Sequence, residues 1–147
     1  MTKYLHLSAR ALLALIFIVS GLGKIAAFNQ TKGFMAASGL PFPELLLVAT
    51  IAIEFAGGIS LLVGYKTKLA AAVLAAFLVP VTLVFHASHL GDPGQAQLQL
   101  VEVLKNLAII GGLLRFAADG SGSLAVDNAA AREPVASSPA KTAGATS

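Results

Sequence analysis

The chain has 147 residues, of which 56% are hydrophobic and 12% charged, and its mean hydropathy is +0.82. Soluble domains carry about twice that charged share, and a water-soluble fold of this size cannot hide so much apolar surface. A polytopic membrane protein forming one compact bundle is the reading that remains. With no Cys in the sequence, disulfides, thiolate metal sites, lipoprotein anchoring and thiol redox chemistry carried by this chain are excluded. The formal net charge of +3 suits a nucleic-acid binder, but basic residues that flank hydrophobic spans and set topology explain it better.

Residues 1–10 (MTKYLHLSAR) lead into a long apolar run. Lys3 followed by an apolar stretch fits a signal peptide, with Ser20, Gly21 and Gly23 as small residues for cleavage. The run continues past them to Phe28 and Arg10 interrupts it, which favours an uncleaved first span over residues 7–27. Residues 29–43 form a connection broken by Gly33, Gly39, Pro41 and Pro43. Within it, Lys32, Phe34 and Met35 allow a short interfacial helix. A second span is predicted over 44–63, and the basic turn GYKTK follows at 64–68 with Tyr65 at anchor height. The third span, 69–87, must accommodate Pro80 as a kink or a rearranged turn. After a polar loop around Asp92 and Pro93, a fourth span covers 100–117. Residues 119–147, rich in Ala, Ser, Gly and Pro without an apolar period, read as a disordered cytoplasmic tail. The predicted fold is therefore all-α, an integral membrane four-helix bundle over residues 1–118.

Four spans put both termini on one side. That side holds Lys3, Arg10, Lys66, Lys68, Arg115, Arg132 and Lys141; the other holds Lys24, Lys32 and Lys105. The bias places both termini in the cytoplasm.

The second span, with IAIEFAGGISLLVG at 51–64, carries Glu54 about ten residues in, near the midplane. A carboxylate there is costly and faces protein or water rather than lipid. It is either protonated by desolvation or paired with a cation, and Lys24 and Lys105 are the candidates by depth. A structural ion pair competes with direct handling of a ligand, a proton or a quinone. Gly57 and Gly58 lie one turn on and read as positions of close helix approach, as do Gly111 and Gly112.

Polar residues concentrate in the outer half. Arg10, Phe17 and Lys24 repeat every seven residues, with Ser20 and Gly21 on the same stripe. Glu102, Lys105 and Asn106 share a helix face, and so do Thr82, His86 and His89. The four stripes are positioned to converge on one cavity. The blander readings are that Lys24 and Arg10 snorkel to the interfaces, and that Glu102 simply pairs with Lys105. His86 and His89, three apart with no third ligand, read as loop-end histidines rather than a metal site. No phosphate loop, nucleophile elbow or HExxH motif appears.

The assembled pattern resembles the DoxX family of small bacterial membrane proteins. The resemblance is carried by Arg10, FIVSGLGK at 17–24, GLPFP at 39–43, IEFAGG at 53–58, Gly64 before a basic turn, KNLAIIGGLL at 105–114, and Gly120, Gly122, Leu124 and Asp127. It implies a multi-pass protein of the bacterial inner membrane. Relatives of that kind include a membrane subunit of a thiosulfate:quinone oxidoreductase and membrane partners of oxidative-stress assemblies. The family has no firm catalytic set to carry over. Lys24, Glu54, Lys105 and Asn106 occupy its characteristic polar positions and are the expected cofactor-binding residues, with a quinone as one candidate cofactor. Two functions follow as expectations. One is a membrane subunit or anchor of a redox complex with soluble redox or stress-response partners. The other is a quinone- or small-solute-binding oxidoreductase subunit. A homo-oligomer fits either.

Overall fold

The computed structural model describes residues 2–129. Its elements are α1 (Thr2–Ala26), α2 (Phe28–Ala37), α3 (Pro43–Val63), α4 (Thr67–Phe85), a 3-10 turn (Ala87–His89), α5 (Ala96–Asp119) and the short α6 (Val126–Ala129). Among the described residues there are no strands. Three helical stretches are long and apolar enough to cross a membrane: Lys3–Ala26, Pro43–Val63 and Thr67–His89. α5 is as long as these, but Gln97, Gln99, Glu102 and Lys105 crowd its first turns.

Local chemistry sets the boundaries. Pro43 opens α3 at its first turn, where no amide is needed, and Gly64 closes it in the left-handed region at φ +75°. Lys66 also takes a left-handed conformation, φ +45°, which a side chain adopts only at a cost. α4 continues through Pro80 to Phe85 without interruption.

α1 packs on α3, α3 on α4, and α4 on α5, while α2 lies against α3. Ala14, Phe17, Leu61, Leu74, Leu78, Leu113 and Phe116 form the core. The two glycines of α3 serve different neighbours. A Cβ on Gly58 would sit 2.9 Å from Ile18 and 3.3 Å from the Ala14 carbonyl oxygen of α1. One on Gly57 would sit 2.9 Å from the Leu74 side chain of α4. This is the close approach that the sequence predicts for the pair. Gly112 meets Leu13 of α1, whereas Gly111 faces open space, so only one of that pair packs within the chain.

The structure departs from the sequence reading at one end of this bundle. Residues 120–129 are not a free tail. They fold back on the α3–α4 turn, and the rest of the expected tail, 130–147, lies outside the described residues. Arg10 does not snorkel: it is 1% exposed. Its Nε donates to Leu62 O at 3.3 Å, and its two terminal nitrogens donate to Ser121 O and Leu124 O at 2.7 Å each. Leu62 O is one of the carbonyls left unpaired in the last turn of α3, where a cation is favoured. The snorkelling argument weighs depth alone and has no view of acceptors brought from more than a hundred residues away.

Candidate functional site

Ser20 and Lys24 lie one turn apart on α1, and Thr50 and Glu54 one turn apart on α3, so each helix projects a polar pair from one face. Packing of α1 on α3 through Gly58 brings the two faces together. Lys24 Nζ donates to both Glu54 oxygens, at 3.0 and 2.9 Å, and to Ser20 Oγ at 2.6 Å. Ser20 Oγ in turn lies 3.3 Å from Glu54 Oε1. The Glu54 side chain is 8% exposed and that of Lys24 is 25% exposed. The carboxylate is thus held by a cation and a hydroxyl, and Lys24 keeps one flank open.

That flank forms one end of a cavity of about 320 Å³. Its polar lining residues are Lys24, Glu54, Thr31, Thr50 and His86. Its walls are Phe34 and Met35 of α2 and Phe77, Val81 and Phe85 of α4. The Phe34 and Phe85 rings stack with centroids 5.6 Å apart and an interplanar angle of 27°. The arrangement suits a molecule with an apolar, flat body and a polar head that accepts hydrogen bonds from Lys24.

The other predicted site residues fall elsewhere. Asn106 is buried and donates to Thr82 Oγ1 at 2.9 Å, while Thr82 Oγ1 donates to Leu78 O at 2.6 Å. This is an α4–α5 clasp. Lys105 is exposed and pairs with Glu102 on its own helix. Of the four expected residues, the structure brings Lys24 and Glu54 together, and Lys105 and Asn106 do not line the cavity. His86 does line it. Its Nδ1 lies 2.9 Å from Gln99 Oε1, and its Nε2 is 3.9 Å from Glu102. Among the described residues no group of three His, Asp or Glu is placed to hold a metal ion.

Sequence reasoning passes over Thr50 and the aromatic wall. Thr50 is legible at i−4 from Glu54. The wall residues Phe77, Val81 and Phe85 recur at four-residue spacing, but so do lipid-facing residues, and only the packing of α2 separates the two.

A second polar cluster closes the opposite end of the bundle. Asp127 Oδ1 accepts from the Lys66 amide at 2.6 Å and Oδ2 from the Thr67 amide at 3.0 Å, and the Asp127 amide donates to Gly64 O at 2.9 Å. The carboxylate therefore caps α4 across sixty residues of sequence. Partial burial pushes its pKa up, but the Thr67 and Lys66 amides outweigh this, and the group lies below the ordinary carboxylate range.

The sequence matches the family model for DoxX over residues 5–87. It is 35% identical over 121 residues to the inner membrane protein YqjF of Escherichia coli, covering 82% of this chain and 88% of that protein. Its identity to the inner membrane protein YphA of the same organism is 30% over 125 residues, covering 84% of this chain and 88% of that one. A more distant similarity, 28% over 107 residues, is to the ER-derived vesicles protein ERV29 of Saccharomyces cerevisiae; it covers 67% of this chain and 34% of that protein. No solved structure matches the chain.

Proposed function

This chain belongs to the DoxX family of inner membrane proteins, and on that premise we propose that it is the membrane subunit of a redox or stress-response assembly. Its own part in that assembly is to bind a quinone or a similar small solute at Lys24 and Glu54. The observation that carries this reading is the opening of a buried, bidentate ion pair onto an aromatic cavity. A purely structural pair has no need of an adjoining space of drug-like dimensions.

The chain crosses the bilayer four times, with both termini in the cytoplasm. Two contacts support α5 as the fourth span. At one end Gln99 meets His86, and at the other Gly120 lies against Lys68. α5 therefore runs antiparallel to α4 along its length, and 24 residues at ~1.5 Å each match the ~30 Å hydrocarbon core.

The test is binding of decylubiquinone to the protein in lipid nanodiscs by isothermal calorimetry. Lys24→Met combined with Glu54→Leu, which removes the donor without leaving a lone buried charge, is expected to weaken binding by about tenfold or more, the worth of one charge-assisted contact. Lys105→Gln is expected to leave it unchanged, since Lys105 does not line the cavity. Unaltered affinity in that double variant sinks the reading.

The small extramembrane mass of the described chain favours the companion role of docking a soluble redox partner. Mild-detergent purification at native expression is expected to recover such a partner, and isolation of the protein alone counts against the assembly.

A further inference from the structure

We infer that the Lys24–Glu54 cavity is entered sideways from the membrane, through the seam between α2 and α4 that the Phe34–Phe85 stack closes. The ligand is accordingly a membrane-dissolved amphiphile with an anionic or carbonyl head, not a solute taken from water. The inference rests on the cavity being a binding site, and it fixes the route and the chemical class of what binds.

Of the residues that line the cavity, only the aromatic Phe34 is exposed. The deepest lining residues are Glu54 and Met35, each 6% exposed, while the Lys24 side chain is 25% exposed. The face toward the outside is aromatic: Phe34 is 55% exposed, and its ring rests on Phe85. Neighbouring positions on α4, Val79 and Leu83, are exposed and apolar, as a lipid-facing surface must be. His86, at the C-terminal end of α4, also lines the cavity and is tied to Gln99 of α5.

The seam is also the weakest join around the cavity. α2 docks on α3 through the buried Met35 and is held to it by an exposed Lys32–Glu44 ion pair at 3.4 Å. Toward α4 the Phe34–Phe85 stack joins the two helices. Such a stack contributes little and re-forms readily. Helical geometry breaks at Ala27 (φ −108°, ψ 35°), and Gly39 turns the chain at φ +77° with open space around it.

A membrane-dissolved molecule passing this seam meets rings first and Lys24 last. Its apolar body takes the space between Phe34, Phe77 and Phe85, and its head accepts a hydrogen bond from Lys24. Lys24 has the open flank and three donors, two directed at Glu54 and one at Ser20. An incoming head competes for the Ser20-directed proton without breaking the ion pair.

Because the sequence has no Cys, a thiol placed in the cavity is the only one in the protein. Thr50→Cys in lipid nanodiscs, which leave both aqueous faces open, is reacted with lipid-partitioning N-(1-pyrenyl)maleimide and with the charged sulfonate MTSES. Val79→Cys and Asp92→Cys serve as lipid-facing and loop controls. Normalised to these controls, the pyrenyl reagent is expected to react at Thr50→Cys about tenfold faster than the sulfonate. Adding Phe34→Ala is expected to raise the pyrenyl rate by about two- to tenfold, the worth of one aromatic pair, with the sulfonate rate unmoved. Sulfonate labelling as fast as at the loop control overturns membrane entry and leaves ligand binding standing. An unchanged pyrenyl rate in Phe34→Ala overturns the seam as the entrance. Labelling by neither reagent shows a closed cavity and overturns both this inference and the binding function.

Discussion

Glu54 and Lys24 show how a residue that is expensive alone becomes tolerable in company. Each is held by the other and by Ser20, and removing one leaves a charge beneath the outer rim with no counter-ion. Lys24→Met is therefore expected to cost about 3–5 kcal/mol, while Lys24→Met with Glu54→Leu is expected to recover most of that. Unfolding of nanodisc-reconstituted protein by heat or denaturant measures both, and a double variant as unstable as the single one contradicts the account. At the other end of α1, Arg10 uses a rigid fork to reach three carbonyls from separate segments. Lysine keeps the charge but not the fork. Arg10→Lys is expected to lose about 2–3 kcal/mol, since at least one buried carbonyl goes unpaired. Cleavage in residues 120–129 under limited proteolysis should rise with it.

At the scale of elements, α3 is the hub, and its glycines are not equivalent. An alanine at Gly57 presses on the flexible tip of Leu74, whereas one at Gly58 presses on Ile18 and on the α1 backbone at Ala14. Gly58→Ala is expected to destabilise by about 1–3 kcal/mol and Gly57→Ala by less, because overpacking costs most where the neighbour cannot yield. Equal losses contradict this ranking. The N-terminus of α4 depends on Asp127, whose pKa is depressed despite partial burial, by the Thr67 and Lys66 amides. A group held below its unfolded pKa contributes fully above that pKa and loses its contribution as pH falls through the lower, folded value. Hydrogen-exchange protection at the Lys66 and Thr67 amides is thus expected to hold from neutral pH down to about 4 and to fade below it. In Asp127→Ala the protection is expected to be weak at every pH. A wild-type profile that fades between about pH 7 and 5 points to a different group.

At the scale of the whole molecule, hydropathy and punctuation are enough to read the first three spans, since each is a continuous apolar run bounded by Gly, Pro or basic residues. Depth along those runs narrows the partner of Glu54 to Lys24 or Lys105, because helical rise is a fixed ruler, and the packing of α1 on α3 selects Lys24. What stays illegible is what depends on segments distant in sequence. Arg10 and Asp127 find their partners 111 and 60 residues away, so neither the fold-back of residues 120–129 nor the burial of Arg10 has a local signature. The same fold-back bears on topology. It gathers the N-terminal half of α1, the α3–α4 turn and the end of α5 at one pole, where Lys66, Lys68 and Arg115 stand close to the span ends. Lys24, by contrast, is neutralised by Glu54 within the opposite half, and Lys105 is paired with Glu102. The basic residues near the span ends at this pole support the proposal that the pole with the clasp faces the cytoplasm. Green fluorescent protein fused after residue 129 is expected to fluoresce, and alkaline phosphatase at the same point to stay inactive, while fusions in the loop at Asp92 give the reverse. Replacing Lys66 and Lys68 with Gln is expected to raise the phosphatase signal of the C-terminal fusion. Strong phosphatase activity in the unaltered fusion contradicts both the fourth span and the cytoplasmic clasp.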